Sequence, residues 1–399
     1  MKKLLLAGLS VSALMASGVA AQAEGHEVKL GVILGFSGPI ESLTPDMAAG
    51  AELAMSEISE SGLFLDGHVV TSVRADSTCV DAAAATAAAE RLISAEGVAA
   101  IMGADCSGVT TAIINNATVP QGIVNISPSA TSPALTDIED NGLFFRTAPS
   151  DARQGIVLAE VVMDRGIEEV AVSFTNNDYG KGFADAFVAA YEGMGGSVTL
   201  SAPHEDGRGD YSAEVGALAA AGGDALVVLG YVDRGGLGVI RSAIDTGAFE
   251  TFVGGDGMFG TSLVENLGAD LESWFGTLPG SAVGGDNPWP AVADAAGVNH
   301  EGPFVGQSYD AAALILLAMA AGGDHTSEAA AANMMAVANA PGEPIAAGEL
   351  AKALEIIAAG GDIDYVGATG VEFGEVGEPS GVFNEFELQD GSLETVRVR

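Results

Sequence analysis

Short apolar runs alternate with segments of helical periodicity along most of this chain of 399 residues. VKLGVILG (28–35) and VAAIMG (98–103) have the length and composition of buried strands. Helical patterns start near Pro45 and Ser107, shortly after these two runs. Because parallel strands need crossover helices between them, the alternation predicts an α/β fold with a parallel sheet covered on both faces.

A second series of the same kind follows FFRTAPSD (144–151). Its strand-like runs are 169–175, 197–203, 225–231 and 250–255. Its helical patterns begin near Asp151, Tyr179, Tyr211 and Arg234. Two such series in succession predict two similar lobes.

The last part of the chain has a different pattern. Helical stretches predominate beyond Gly280, at roughly 304–321, 324–337 and 348–359. Two β-like runs, 382–388 and 392–399, then flank Asp390-Gly391, a dipeptide that favours a hairpin turn. A helical block followed by a terminal hairpin indicates that the chain crosses between the lobes more than once.

We expect the crossings near residues 147–150, 278–282 and 368–374. The first lobe then comprises residues 24–148 and 281–369, and the second lobe comprises residues 149–280 and 370–399.

Residues 1–23 have the features of a signal peptide. Lys2 and Lys3 precede a short apolar run, and Ala21-Gln22-Ala23 supplies the small-x-small pattern after which signal peptidase cuts. The run is short and mixed with Ser and Gly, which favours export over a membrane anchor. We expect cleavage after Ala23, a periplasmic protein, and no later stretch long and apolar enough to insert into a membrane.

The composition is strongly acidic, with 54 Asp and Glu against 15 Lys and Arg and a formal net charge of −39. Loss of Lys2 and Lys3 with the signal peptide would leave −41. Nucleic acids and anionic lipids bind to basic patches, whereas the few basic residues here are scattered. The charge therefore argues against nucleic acid as a partner and disfavours strongly anionic ligands.

Cys79 and Cys106 are the two cysteines of the chain, and each follows a predicted strand. In an exported protein two cysteines pair by default, so we expect a structural disulfide. A catalytic thiol or a metal site is the alternative. The sequence around the cysteines lacks a catalytic motif, and the five histidines (26, 68, 204, 300 and 325) lie far apart without ligand spacing, so no metal is expected.

Hydroxyl groups follow two neighbouring predicted strands. Ser107 opens the helix after Cys106, where free N–H groups favour a carboxylate; it can donate to an anionic ligand group or simply cap its own helix. SPSATSP (127–133) follows the next strand. Ligands of open α/β sheets lie outside the carboxyl ends of the strands, which makes Ser129 and Thr131 candidates, with an ordinary turn as the alternative.

Three strand ends of the second series carry a different set of side chains. Tyr179 lies at a strand-to-helix junction, Tyr231 ends the run ALVVLGY, and Asp256 follows ETFVGG. Each alone is typical of a surface loop. Together they predict an aromatic wall with a single buried anion.

GGDGMFG contains the spacing Gly255-x-Gly257-x-x-Gly260 of a dinucleotide-binding loop. Such a loop should open the first βα unit and be followed about 20 residues later by an acid at a strand end. Here it comes late, and the sequence after it does not have that pattern. An exported NAD-dependent oxidoreductase remains an alternative on this motif, but no cofactor is expected.

The order of these segments resembles a known family. VKLGVILGFSGP, ADSTC, GADCS, ISPSATSPALT, FRTAPSD, NNDYGKG, GYVDRGG and GGDG follow one another as in the periplasmic leucine/isoleucine/valine-binding proteins, the substrate-binding components of branched-chain amino acid ABC transporters. The resemblance runs from about residue 28 to the carboxyl terminus. It implies the type I periplasmic binding protein fold, with two Rossmann-like lobes joined by three crossovers, and a Cys79–Cys106 bridge.

The resemblance also implies roles for the candidate residues. Ser107 and Thr131 would hold the α-carboxylate of an amino acid, with the backbone at Ser129 beside them. Asp256 stands where the family has an acid, commonly Glu, that pairs with the ammonium. Tyr179 and Tyr231 would close over the ligand.

Two departures bear on specificity. Leu43, in IESLTP, lies near the position where the family often has an aromatic residue, and Asp256 is one methylene shorter than Glu. The resemblance implies a monomeric, non-enzymatic protein that delivers an amino acid to an ABC permease. A ligand-sensing partner of a signalling receptor is the other alternative.

Overall fold

A computed structural model of the protein describes residues 26–271 and 273–399; the predicted signal peptide lies outside the described residues. The strands are β1 (Glu27–Leu34), β2 (Val69–Asp76), β3 (Ala100–Gly103), β4 (Asn125–Ser127), β5 (Phe144–Arg146), β6 (Glu169–Thr175), β7 (Ser197–His204), β8 (Ala225–Leu229), β9 (Thr251–Gly254), β10 (Ser273–Pro279), β11 (Glu343–Ala346), β12 (Ile363–Gly367), β13 (Phe383–Gln389) and β14 (Ser392–Val398).

The helices are α1 (Thr44–Ser61), α2 (Ala82–Arg91), α3 (Ser107–Ile113), α4 (Val119–Gln121), α5 (Asp151–Asp164), α6 (Asp178–Gly193), α7 (Ser212–Ala221), α8 (Gly235–Thr246), α9 (Thr261–Leu267), α10 (Trp289–Ala296), α11 (Val305–Gly322), α12 (Ser327–Ala338) and α13 (Leu350–Ala358). Leu92–Glu96 and Ile114–Thr118 are π-helical turns that continue α2 and α3.

The first lobe is built on a five-stranded sheet in the order β2-β1-β3-β4-β5. All of its pairs are parallel. Helices cover both faces of the sheet, and the inner strand β3 is apolar and buried along its whole length, whereas the edge strand β2 is only partly buried. The carboxyl ends of the strands all meet at one edge of the sheet.

The second lobe is built on a seven-stranded sheet in the order β14-β13-β10-β9-β8-β6-β7. The strands β7, β6, β8, β9 and β10 are parallel and repeat the strand order of the first lobe. The terminal hairpin β13–β14 adds to β10 in the antiparallel sense. The two predicted series thus form two Rossmann-like lobes of the same topology.

The chain passes between the lobes three times, after β5, after β10 and after β12. The second and third passages are bonded to each other, since the Ala282 N–H donates to the Thr369 carbonyl at 2.7 Å. Asp310, buried on α11, accepts from the Ala368 N–H at 2.7 Å and from the Thr369 hydroxyl at 2.6 Å. Burial raises the pKa of Asp310 to about 6.

One helix corrects a sequence-based expectation. By length and composition α11 could cross a membrane, whereas no stretch after the signal peptide was expected to do so. Of its 18 residues, 83% are buried within the fold, where the helix packs against α1 and α12. Gly50 lets α1 approach closely, because a Cβ there would collide with the Val305 carbonyl at the start of α11. Such a helix is apolar because it is a core element.

Candidate functional site

The carboxyl ends of the parallel strands of both lobes border one cavity. Its lining combines residues from both lobes: Ile40, Leu43, Met47, Asp105, Cys106, Ser107, Ser129, Tyr179, Tyr231, Asp256, Gly257 and Phe304. Five of the six residues predicted from sequence are among them. The sixth, Thr131, is fully buried next to Asp151, whose N–H donates to the Thr131 carbonyl at 2.8 Å.

The edge of the first lobe is fixed by a covalent bond. Cys79, after β2, and Cys106, before α3, form the expected disulfide, and both are buried. Asp105 reinforces the same point: its carboxylate accepts hydrogen bonds from the Gly35 N–H at 2.6 Å and from the Ser77 hydroxyl at 3.1 Å. Three strand ends are therefore held together around the start of α3. Burial raises the pKa of Asp105, and the donors to it oppose this shift.

Hydroxyl groups and backbone N–H groups line the first-lobe side. Ser107 does not cap its own helix; its Oγ accepts the Ser132 N–H at 3.1 Å, which leaves the hydroxyl proton available for a ligand. Ser129 donates to the Asp105 carbonyl at 3.0 Å. Within the described residues, the buried Thr131 Oγ1 has no hydrogen-bond partner. With the free N–H groups at the start of α3, this side is suited to an anion.

Arg146, at the end of β5, holds the loop that carries these hydroxyls. It is 1% exposed, and its Nη1 donates to the carbonyls of Ala130 at 3.0 Å and Ser132 at 2.9 Å. Its Nε donates to Glu378 at 2.9 Å, so the guanidinium charge is already paired. Arg146 therefore fixes the 130–132 loop without supplying a free positive charge to the cavity.

One buried carboxylate, Asp256, lines the second-lobe side of the cavity, and a second, Asp151, lies near it behind the lining. Asp256, 2% exposed, accepts from the Tyr179 phenol at 3.1 Å and from the Gln154 side-chain amide at 3.1 Å. Asp151 is fully buried next to the Thr131 hydroxyl, although within the described residues no group meets the geometry of a hydrogen bond to either of its side-chain oxygens.

Burial disfavours the ionised form of both acids, and the charge of Asp256 further disfavours ionisation of Asp151. Burial raises the pKa of Asp256 to about 6, against the hydrogen bonds from Tyr179 and Gln154 that stabilise its ionised form. For Asp151 burial and then the charge of Asp256 raise the pKa well above its ordinary value. An ionised pair of this kind is stabilised by a cation placed between the two carboxylates.

Two aromatic rings close the second-lobe side. Tyr179 and Tyr231 are stacked, with ring centroids 5.3 Å apart and an interplanar angle of 17°. The Asn177 side-chain amide donates to the Tyr231 phenol at 3.3 Å. Burial, and then the charge of Asp256, raises the pKa of Tyr179 well above its ordinary value, which keeps the phenol neutral and able to donate.

The glycines of GGDGMFG serve packing. A Cβ at Gly255 would collide with the Phe183 ring. A Cβ at Gly257 would lie 2.6 Å from the Gly230 carbonyl and 2.8 Å from the Tyr179 phenol. The segment forms a short 3₁₀ turn, Asp256–Met258, that directs Asp256 to the cavity. Close approach to Phe183, to the Gly230 carbonyl and to Tyr179 thus explains Gly255 and Gly257.

One end of the cavity is apolar. Ile40, Leu43, Met47 and Phe304 line it, and all four are buried. Leu43 and Phe304 also border a larger cavity of about 800 Å³ between the lobes. Phe304 has a φ of 61°, which is unusual for a residue other than glycine and is a form of strain that occurs at ligand-binding positions.

Sequence reasoning missed several of these residues. Asp151 and Gln154 lie on the first turn of α5, just after FRTAPS, where an acid is an ordinary helix-start residue. Phe304 comes from the first lobe after the second crossover, and no polar pattern marks it. Arg146 ends a strand of three residues that was not predicted.

Within residues 26–271 and 273–399, no group of three or more His, Cys, Asp or Glu side chains is arranged to hold a metal ion. His26, His68 and His325, which lie far apart in the sequence, do come together on the first lobe. Their ring centroids are 4.8 Å (His26–His68) and 5.8 Å (His68–His325) apart.

Comparison with known proteins gives a consistent result. Residues 27–352 match the family model of periplasmic binding proteins. The "Chemotactic signal transduction system substrate-binding protein BasB" of Halobacterium salinarum is 28% identical over 387 residues, covering 93% of this chain and 89% of BasB. "Leu/Ile/Val-binding protein homolog 1" of Brucella abortus is 30% identical over 285 residues, covering 70% of this chain and 74% of that protein.

A solved structure shares the fold. The branched-chain amino acid transporter substrate-binding protein LivJ from Streptococcus pneumoniae, in complex with isoleucine, superposes with a TM-score of 0.75 at 24% identity. The similarity covers 94% of this chain and 99% of that chain. These similar proteins are solute-binding proteins and not enzymes.

Proposed function

The chain belongs to the periplasmic binding protein family, and we propose that it is the solute-binding protein of an ABC importer, with an α-amino acid as its ligand. The family implies a location outside the cytoplasm; the proposal adds export through a signal peptide cleaved after Ala23, and a periplasmic, monomeric protein.

The observation that carries the proposal is the opposite chemistry of the two sides of the cavity. The first lobe offers hydroxyl groups and backbone N–H groups, which bind a carboxylate. The second-lobe side offers Asp256 and the neighbouring Asp151, both buried, with the nearby Arg146 already paired to Glu378. A ligand that carries an ammonium next to a carboxylate complements both sides at once.

In this arrangement Ser107 and Thr131 bind the α-carboxylate, with the backbone at Ser129 beside them. Asp256 pairs with the ammonium, and Asp151, which the sequence did not indicate, is its second partner. Tyr179 orients Asp256 through the 3.1 Å hydrogen bond and covers the ligand together with Tyr231. Each charged group of the ligand thereby meets a counterpart in a site that excludes water, where such contacts are strong.

The ligand side chain would point to the end formed by Ile40, Leu43, Met47 and Phe304. These residues supply no charge and no hydrogen-bonding side chain, so an aliphatic side chain fits best. The names of the relatives agree with this class: one is a Leu/Ile/Val-binding protein homologue, and LivJ was solved with isoleucine.

Capture would proceed by hinge closure. The ligand contacts both lobes only when the cleft is closed, so binding shifts the population toward the closed form. We take the moving bodies to be residues 24–148 with 281–369, and residues 149–280 with 370–399. The permease subunits of the importer would then recognise the closed form and receive the amino acid.

Native mass spectrometry provides a direct test. The protein from Glu24 onward, unfolded and refolded to remove bound ligand, is incubated with an equimolar mixture of leucine, valine, alanine, glutamate, benzoate and urea. The proposal predicts a complex with one or more of the aliphatic amino acids. A complex formed only with benzoate or urea would contradict the proposed ammonium site.

A second role rests on one relative. BasB, which matches 93% of this chain, belongs to a chemotactic signal transduction system, so the same ligand site can serve a signalling receptor as a soluble sensing partner. Deletion of the gene that encodes this protein in its host distinguishes transport from sensing. Loss of uptake of the radiolabelled amino acid indicates transport, whereas loss of chemotaxis toward it with normal uptake indicates sensing.

A further inference from the structure

The rim of the cleft contains a direct connection between the lobes that does not involve the cavity. It joins two loops, residues 35–43 after β1 and residues 230–234 after β8. The Asp233 N–H donates to the Pro39 carbonyl at 3.0 Å. In the reverse direction, the Ser42 N–H donates to Asp233 Oδ2 at 2.8 Å.

The two carboxylate oxygens of Asp233 are bonded to different lobes. Oδ1 accepts the Ser262 hydroxyl at 2.7 Å, from α9 of its own lobe, while Oδ2 accepts the N–H of Ser42 across the cleft. The hydrogen bond from Ser262 holds the carboxylate in place. Closure of the cleft, which brings the Ser42 N–H to Asp233, therefore costs little further side-chain entropy. The side chain is therefore preorganised to receive the other lobe.

We propose that Asp233 is a latch that holds the closed cleft, a positioning residue that acts on the ligand through its neighbours. This rests on the proposed function, since it assumes that the lobes open and close around a ligand. Pro39 and Ser42 flank Ile40 and adjoin Leu43, which line the apolar end, and Tyr231 lies two residues before Asp233. The hydrogen bonds that join Pro39 and Ser42 to Asp233 therefore fix the positions of residues on both walls of the cavity.

The neighbouring ion pair has a smaller role. Arg234 Nη2 lies 3.4 Å from Glu41 Oε2, but both side chains are 47% exposed. Exposed pairs of this kind contribute little because water and salt screen them. Asp233 is half-buried and accepts a backbone N–H across the cleft, so it contributes more to this connection than the exposed ion pair does.

The first arm of the test needs no ligand. A Ser42→Cys/Asp233→Cys double variant of the protein from Glu24 onward is oxidised, and crosslinking is followed by non-reducing peptide mass spectrometry, with the native Cys79–Cys106 bond as internal reference. A Ser42→Cys/Asp224→Cys variant is the control, because Asp224 precedes β8 at the end away from the cleft. The latch predicts much faster crosslinking of 42 with 233; equal rates would overturn it.

The second arm measures dissociation of L-leucine by stopped-flow fluorescence. Asp233→Ala should speed dissociation about tenfold, the effect of losing one hydrogen bond to a charged group, with little change in association. Asp233→Asn retains an acceptor oxygen and should restore part of the slow rate. Asp224→Ala, which removes the acceptor of the Glu168 and Glu169 N–H groups inside the second lobe, should leave the rate unchanged.

The two arms separate failure of the latch from failure of the proposed function. An unchanged leucine dissociation rate in Asp233→Ala would overturn the latch. If the wild-type protein binds no aliphatic amino acid, the proposed ligand class is in error, and the crosslinking rates still decide whether residues 42 and 233 meet across the cleft, which the latch requires.

Discussion

Tyr179 donates a hydrogen bond from its phenol to Asp256 Oδ1 at 3.1 Å, and the same phenol oxygen accepts the Gly257 N–H at 3.2 Å. The backbone of the 256–258 turn thus orients the phenol that orients the acid. Because Asp256 is held in this way before any ligand arrives, the proposed ammonium site needs little reorganisation on binding.

Replacing Asp256 by Asn should weaken binding of the amino acid by at least about 2 kcal/mol, because the ammonium loses a buried charge partner while the shape of the site is kept. Isothermal titration calorimetry measures this difference. Asp224→Asn serves as the control, since that acid lies away from the cleft and should leave the affinity unchanged. Equal affinities for Asp256→Asn and the wild type would remove Asp256 from the ligand site.

Asp151→Asn should have two opposite effects. The ligand-free protein should become more stable by roughly 1–3 kcal/mol, because the variant removes one charge from two buried carboxylates that repel each other. Binding of the amino acid should become weaker, because the ammonium loses its second partner. Urea unfolding of the ligand-free protein and calorimetry of binding check the two effects; a destabilised protein with unchanged affinity would make Asp151 purely structural.

Affinity should depend on pH with a definite sign. The pKa of Asp256 rises from 3.8 to about 6 in the folded protein, so the ligand-free fold loses stability from this group as pH rises from about 4 through 6. An ammonium binds the ionised form of Asp256, so the affinity for the amino acid should increase as the pH rises. We expect about tenfold weaker binding at pH 5 than at pH 7.5.

Asp256→Asn is the matched control for the pH dependence. The variant should have a flatter affinity profile, because Asn does not titrate. Titration at pH 6 in two buffers of different ionisation enthalpy should also show net proton release on binding to the wild type. A profile as steep in the variant as in the wild type would assign the pH dependence to another group.

Removal of the disulfide should cost the fold about 3–4 kcal/mol, since the bond closes a loop of 27 positions in the unfolded chain. The Cys79→Ser/Cys106→Ser variant, unfolded in urea, gives this difference. The affinity should also fall, because Cys106 directly precedes Ser107 and α3. A loss of stability with full affinity would show that Asp105 alone suffices to hold the start of α3.

Most of the fold was predictable because buried parallel strands and amphipathic helices give strong local patterns. The strands that escaped prediction lack such patterns. β5 has three residues, and β10, SWFGTLP, contains Gly and Pro and few β-branched residues. The two-stranded sheet of β11 and β12 was not predicted, because its strands lie in a segment whose pattern is mostly helical.

The site was less predictable than the fold, because a residue's neighbours across the cleft cannot be seen in its local sequence. Asp151 has the sequence context of an ordinary helix-start acid; only the tertiary structure shows it buried beside Asp256 with unpartnered oxygens. Phe304 and Met47 contribute to the apolar end from distant segments of the first lobe. Ser107, Ser129 and Thr131, in contrast, could be predicted, because each follows one of two neighbouring strands of the sheet.

The measurement that tests the central claim most directly compares one amino acid with its two truncated analogues. Calorimetric titrations of the refolded protein use leucine, 4-methylpentanoate, which lacks the amino group, and 3-methylbutylamine, which lacks the carboxylate. If a carboxylate and an ammonium are bound on opposite sides of the cavity, leucine should bind and each analogue should bind at least about 30-fold more weakly, equivalent to about 2 kcal/mol. Binding of 4-methylpentanoate as tight as that of leucine would contradict the ammonium site formed by Asp256 and Asp151.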